Sequence, residues 1–505
     1  MADDLSDHTP RSSPRTGTEL PHGQPFWIVD GKAYDLTEWM KIHPGGATWF
    51  GPSQGRDISA LLHTYHRDPA RLQRVLAKYE IEGFTERDVL PKLGVPPFLL
   101  EPDFDATTDL PRLDYADRGS LLAEIRGQVN ARFSKRDLKT YDRRFDGVTW
   151  IIGLAHVAAL ALLIAGPLPA WAFVVVMVLT RTALAGAGHY HLHRKWKDQG
   201  SGYYLPIGKA LFDINYVGTS LIGTDGHVLL HHPYMGSGAD VKKTFFDGML
   251  RLHPILRIPG YTLHKLGICL LGLSLRAREL AKFERPKDEA PMRAPVRADF
   301  WIIRGWILAE LVACLATGHI VAWLVQFFLT LWFNTFLVVA SHDFEESNDE
   351  AELAAIPPAL RDDWAAHQIC LSYDLSVVGN RWIDLFLSAG LSPHRVHHVL
   401  PYQGSGFANL ATEATVRQVC EQAGIVWERP RNLLFDRFPA VIKHYLLAPV
   451  KAAPPPPPAL PPPPPAGRFP VQPPPPGPPA EPADRPGQVA ELFRYTFDGW
   501  RGVGV

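Results

Sequence analysis

Polarity changes character at three places along this chain. Between residues 26 and 39, FWIVDGKAYDLTEW alternates apolar and polar positions on either side of Asp30-Gly31. Period-two alternation about an Asp-Gly pair predicts a β-hairpin, here opening a small soluble domain. Further on the pattern becomes continuously apolar. Trp150–Ala165, Ala170–Gly188, Phe300–Thr317 and Ile320–Ala340 are runs of 16–21 residues. About 20 apolar residues in a helix cross a bilayer. GPLP joins the first two runs and Gly318-His319 the last two. Two tightly joined pairs predict two membrane hairpins, hence four transmembrane helices, rather than four separate core helices. The third change is at residues 454–482, which hold eighteen prolines. That density excludes helix and central strand, and predicts an extended, disordered tail.

Charge orients the spans. Residues 189–298 carry sixteen Lys and Arg, whereas the turns GPLP and ATGHIV carry none. This positive-inside pattern puts the N-terminal domain, the segment after span two and the segment after span four on the cytosolic side. Arg181, Arg304 and Glu310 fall inside spans, where charge is costly. Arg304 lies near an end and can reach the interface; Arg181 and Glu310 are expected to face the bundle. The formal net charge of −1 offers no bulk attraction to nucleic acid. Cys269, Cys314, Cys370 and Cys420 are scattered, which suits a reducing compartment or membrane better than a disulfide framework. Residues 1–24 are polar without an apolar core and read as a disordered tail, not a signal peptide.

Every histidine cluster falls on the predicted cytosolic side. GHYHLH occupies 188–193, HVLLHH 227–232 and HRVHH 394–398, and His342 directly follows the fourth run. Residues i and i+4 share a helix face. His189 with His193, His227 with His231, and His394 with His398 can therefore each reach one metal. His232 and His397, beside them, can reach another. His191 lies about 200° around the helix from His189 and is left out. Such an imidazole-rich set suits iron, though zinc and copper also take imidazole. Any single box could be satisfied polar histidines; three in order on one side of four spans argue for a metal site. Asp225 and Asp374 are candidate acceptors for the second N–H of ligating imidazoles.

Two resemblances follow. WIVDGKAYDLTEW, His43-Pro44-Gly45-Gly46 and the 23-residue step to His66 resemble the cytochrome b5 domain over residues 26–84. The resemblance implies that His43 and His66 are the axial ligands of a b-type haem. His63 is the rival second ligand, disfavoured by the spacing. Two axial imidazoles leave no place for oxygen, so such a haem transfers electrons only. The boxes H-x-x-x-H, H-x-x-x-H-H and H-x-x-H-H, the four spans and His342 resemble the membrane fatty acid desaturase and hydroxylase superfamily from about residue 148 to 412. DWAAHQICLSYDLS and Pro401 fit the same pattern. A fused cytochrome b5 module is typical of front-end and some sphingolipid desaturases.

What the resemblance implies is specific. The fold is an α+β haem domain at 25–90, a linker at 91–147 and an all-α membrane domain at 148–430 with a cytosolic histidine-rich cap. A C-terminal extension at 431–453, a proline-rich linker at 454–486 and a tail at 487–505 follow. His189, His193, His227, His231, His232, His394, His397 and His398 would hold two non-haem irons, with His342 as a ninth ligand. The activity would be O2-dependent desaturation of a fatty acyl chain, as lipid or thioester. Electrons would come from an NAD(P)H-dependent reductase through the fused haem. A fatty acyl or sphingolipid hydroxylase uses the same centre, and a non-catalytic haem-binding electron carrier is the alternative outside catalysis. Front-end members usually carry Gln where this chain has His394, so the substrate class stays open.

Overall fold

The structure is a computed structural model and describes residues 25–43, 54, 58–85, 113, 120–194, 204–216, 231–235, 247–267, 293–342, 354–451 and 487–501. Strand β1 (Trp27–Val29) pairs antiparallel with β2 (Lys32–Tyr34), and β2 with β3 (Glu80–Thr85). The turn between β1 and β2 has φ of 51° at Asp30 and 74° at Gly31. Asp and Gly are residue types that tolerate this left-handed pair, which matches the twist of the strands. Helices α1 (Thr37–Ile42), α2 (Ser59–Tyr65) and α3 (Pro69–Leu76) fold over the sheet. Trp27, Val29, Leu36, Leu62 and Leu72 close a core between them. The hairpin is the one the alternating pattern predicts, and the unit as a whole is the α+β domain that the cytochrome b5 resemblance implies.

The rest of the chain is mostly helical. Helix α4 (Leu121–Arg132) and the first half of α5 (Lys135–Ile164) occupy part of the segment 91–147 that was expected to be a linker. Leu121, Leu122, Ile125 and Val129 recur on one helical face and bury against Trp364, Val396 and Val416. Ser134 and Asp137 cap the start of α5 reciprocally. The helical segment thus begins well before the apolar run at Trp150, because capping and packing support its polar half.

Helix α6 (Ala170–His193) carries the second apolar run and α7 (Tyr204–Asp213) turns back against it. A Cβ on Gly188 would collide with the α7 backbone at Phe212, and one on Gly186 with the backbone at Ala389. Glycine at these two positions lets the histidine-bearing end of α6 sit against both neighbours. Helices α8 (Pro254–Gly267), α9 (Arg293–Ala316) and α10 (Ile320–Ala340) follow. Among the described residues, α5, α6 and α10 are long and apolar enough to cross a membrane. Helix α9 covers the third apolar run. Trp150, Leu154, Trp171, Val312 and Val321 are exposed on the outside of these helices.

The inside of the helix group is polar at one level. Arg181 on α6 pairs with Glu310 on α9, and both are fully buried. His156 on α5 lies with Nε2 3.0 Å from Glu310 Oε1 and Nδ1 2.9 Å from Thr180 Oγ1. The Arg181 guanidinium also donates to the Ile214 carbonyl at 2.6 Å and stands 4.5 Å above the Tyr216 ring. Arg181 and Glu310 do face the bundle, and His156 belongs to the same network.

Beyond α10 come α11 (Trp364–Cys370), α12 (His394–Val399) and α13 (Gly406–Gln422). Leu433, Val441 and Tyr445, in the expected C-terminal extension, share a core with Leu337 and Ala340. Helix α14 (Gln488–Arg501) lies along α8, and Gln488 Oε1 accepts from the His253 N–H at 2.6 Å. The expected tail at 487–505 is therefore helical over these residues. The expected tail at 1–24 and the proline-rich segment at 454–486 lie outside the described residues.

Candidate metal centre and haem site

Three separate stretches deliver the histidines. His189 and His193 are one turn apart at the end of α6. His231 and His232 lead into a short helical turn, His232–Tyr234, held by a 3.1 Å hydrogen bond from Trp364 Nε1 to the Pro233 carbonyl. His394, His397 and His398 lie on α12. The start of α12 is fixed by Asp374, whose Oδ1 accepts from the Arg395 backbone N–H at 3.0 Å. Arg395 itself donates to the carbonyls of Ser372 and Glu428. Asp374 thus braces the helix that carries the box, accepting from the Arg395 N–H and pairing with Arg381 rather than with an imidazole.

These side chains converge into two buried groups. His189, His193, His232 and His397 form one; His231, His342 and His398 form the other. Within each group the candidate ligand atoms lie within 4.8 Å of one another. His394 borders the second group, its ring 4.6 Å from His342 and its Nε2 3.1 Å from His398 Nε2. The two groups touch through His232 and His398, whose rings stack 4.4 Å apart. His227 and Asp225 lie outside the described residues. His191 turns away from both groups; its Nε2 is 3.2 Å from Asp146 Oδ1, and Asp146 also takes Arg194 at 2.8 Å.

The donor set fits a metal of borderline softness. Both groups are purely imidazole among the described residues, and imidazole suits iron, copper and zinc. Burial, and then the neighbouring histidines, push His232 and His398 well below the ordinary imidazole pKa. Neutral rings keep a lone pair for a metal. Acceptors fix which nitrogen that is. His342 Nδ1 meets the Leu371 carbonyl at 3.3 Å, His394 Nδ1 the Tyr373 carbonyl at 3.2 Å and His398 Nδ1 the Gln368 Oε1 at 2.8 Å. With Nδ1–H donated, Nε2 is the free donor atom, the usual arrangement around ligating histidines. Gln368 and the two carbonyls were not singled out in the sequence, although all three lie within DWAAHQICLSYDLS.

In the N-terminal unit, His43 follows α1 and His66 follows α2. Their ring centroids are 6.0 Å apart. Two imidazoles on opposite sides of one iron stand about 6 Å apart, given metal–nitrogen bonds of about 2 Å. His66 Nδ1–H donates to the Leu62 carbonyl at 2.7 Å. His63, the rival, is engaged elsewhere: its Nε2 lies 2.8 Å from Asp30 Oδ1. Pro44, Gly45 and Gly46 lie outside the described residues.

Comparison with known proteins agrees with both halves. The family model for fatty acid desaturases matches residues 165–429, over half of the chain. The model for the cytochrome b5-like haem/steroid-binding domain matches residues 13–82. The chain belongs to the fatty acid desaturase family and carries a cytochrome b5-like domain at its N-terminal end. An acyl-lipid omega-13 desaturase of Chlamydomonas reinhardtii is 22% identical over 82% of this chain and 91% of its own length. A probable Delta(5) fatty acid desaturase C of Dictyostelium discoideum is 23% identical over 74% of this chain and 82% of its own. The Delta(5) fatty acid desaturase A of the same organism is 41% identical over 11% of this chain and 12% of its own. No solved structure matches. The family and the apolar helices make this a membrane oxidoreductase of lipid metabolism, with a haem implied by its N-terminal domain and iron binding suggested by its histidine groups.

Proposed function

We propose that the protein is an O2-dependent desaturase that places a double bond in a lipid-linked fatty acyl chain, using two non-haem irons reduced through its own haem. The observation that carries this reading is the pair of buried, contiguous histidine groups at the end of the apolar helices. His189, His193, His232 and His397 would hold one iron. His231, His342 and His398 would hold the other, with His394 and His227 completing the set. His43 and His66 would hold the haem. Bound by these histidines, two irons would supply the O2 activation needed to break unactivated C–H bonds.

The chain's own residues do the positioning. Leu371, Tyr373 and Gln368 orient three imidazoles by their Nδ1 atoms. The Asp146–His191–Arg194 cluster anchors the end of α6 without facing either group. Burial of both histidine groups would exclude water from metals held there. Helix α9 acts as the fourth span, and the haem unit and histidines lie on the cytosolic side, as the basic segments require. That side gives access to a soluble NAD(P)H-dependent reductase. The acyl-lipid substrate named for the Chlamydomonas relative supports a lipid-linked chain over a thioester.

Expression in a host of known lipid content, followed by mass spectrometry of the acyl chains, tests the reading. A product two hydrogens lighter supports desaturation. A product one oxygen heavier would make the protein a hydroxylase, and no product with both metals present would make it an electron carrier. A second expectation separates neighbours in GHYHLH. His193→Ala loses non-haem iron, whereas His191→Ala retains it, measured by metal analysis of purified protein. Loss of iron from His191→Ala would contradict the assignment.

A further inference from the structure

Among the described residues, Tyr65 brings the haem unit into hydrogen-bond contact with the four-histidine group. Tyr65, the last residue of α2, immediately precedes His66. Its hydroxyl lies 2.9 Å from His193 Nδ1. The two rings lie nearly parallel, 6° apart in plane, with centroids 5.9 Å apart. Tyr65 is therefore one peptide bond from a candidate haem ligand and one hydrogen bond from a member of the four-histidine group.

The contact is clamped on both flanks. Arg126 on α4 donates to the His63 carbonyl, two residues before Tyr65. Arg67, two residues after it, donates to Asn130 Oδ1 and, at 2.7 Å, to the Phe133 carbonyl. Arg126 is itself buried. Such clamps hold residues 63–67 in register with the body of the protein. They restrict α2 and the haem ligand that follows it to one approach on His193.

We propose that Tyr65 is the positioning residue through which electrons leave the haem site at His66 and enter the iron pair at His193. The inference rests on the two-iron, one-haem reading above. The step moves one electron: the haem iron goes from ferrous to ferric, and one iron of the pair from ferric to ferrous. No bond is made or broken, and Tyr65 itself is neither oxidised nor reduced. Its hydroxyl accepts the His193 Nδ1–H, which sets the imidazole's orientation and supplies a short hydrogen-bonded connection between the two sites.

The test uses the full chain, loaded with haem and with equal non-haem iron in every variant. A photosensitiser flash reduces the haem under anaerobic conditions, and its re-oxidation by the ferric iron pair is followed by absorbance. Haem spectrum and midpoint potential are measured alongside, because a purely structural change would not slow transfer at equal potential and equal iron. Tyr65→Phe keeps the ring and loses the hydroxyl. It is expected to slow re-oxidation roughly tenfold or more, in the range for losing a hydrogen-bond partner of a ligating histidine. Tyr65→Leu loses the ring as well and is expected to be slower still. Wild-type rates in both variants would overturn the inference. So would a Tyr65→Phe protein that cannot be loaded with iron, since that assigns Tyr65 to holding the metal instead. If the wild-type chain itself holds no non-haem iron, the functional reading falls, and the inference with it.

Discussion

His397→Ala yields a protein that keeps its haem spectrum but loses non-haem iron and product. The geometry puts His397 in contact with every other member of its group. Its ring centroid is 4.4 Å from that of His189, 4.6 Å from His193 and 4.7 Å from His232. Its Nε2 lies 3.1 Å from His189 Nε2. Two donor nitrogens that close share one small space, which is what a common metal needs. Losing a hydrogen-bond partner of a ligand typically costs about 10–100-fold in metal affinity or activity; losing the ligand itself should cost more. Val396, Val399 and Leu400 stay in the core and keep α12 in place. The haem site belongs to a different part of the chain and should not respond. Product analysis, iron content and the haem absorbance spectrum together check this. Product at the wild-type level would remove His397 from the centre.

The second large effect concerns stability. Arg181→Met leaves the Glu310 carboxylate buried beside His156 without its guanidinium. Removing one partner of a buried ion pair costs about 3–5 kcal/mol, because the remaining charge stays out of water. The thermal unfolding midpoint of detergent-solubilised protein should fall by several degrees. Replacing both partners, Arg181→Met with Glu310→Met, should recover part of the loss, because apolar side chains of similar size then fill the site. A double variant that is less stable than the single would mean that the pair itself, and not the stranded carboxylate, sets the stability.

Local pattern made much of this molecule legible. Asp30-Gly31 set the first hairpin, and the apolar runs located helices at all four expected places. The histidine spacing was informative for a geometric reason. Residues i and i+4 share a helix face, so His189 and His193 enter one group together. Adjacent residues are about 100° apart. That offset sends His231 and His232 to different groups, as it does His397 and His398. The 23-residue spacing singled out His43 and His66, whose rings the fold sets 6.0 Å apart, whereas His63 meets Asp30.

What was not legible depends on contacts between distant segments. Asp374 was expected to hold an imidazole, but it holds the start of α12. The imidazoles are held by Gln368 and by two carbonyls, and backbone acceptors leave no mark on a sequence. Arg181 and Glu310 stood out as charges in apolar runs, yet they lie on different hairpins, and nothing local pairs them. Tyr65 sits in a small soluble unit, far along the chain from His193. Helices α4 and early α5 read as a linker in the sequence because charge hides a helical face that the body buries.

Two metal sites of different kinds on one chain can be checked by counting their irons. Purified full-length protein, loaded with iron and haem, is measured for total iron, haem and other metals. One haem and about two non-haem irons per chain are expected, one iron for each histidine group. Haem with no further iron, or zinc in place of iron, would contradict it.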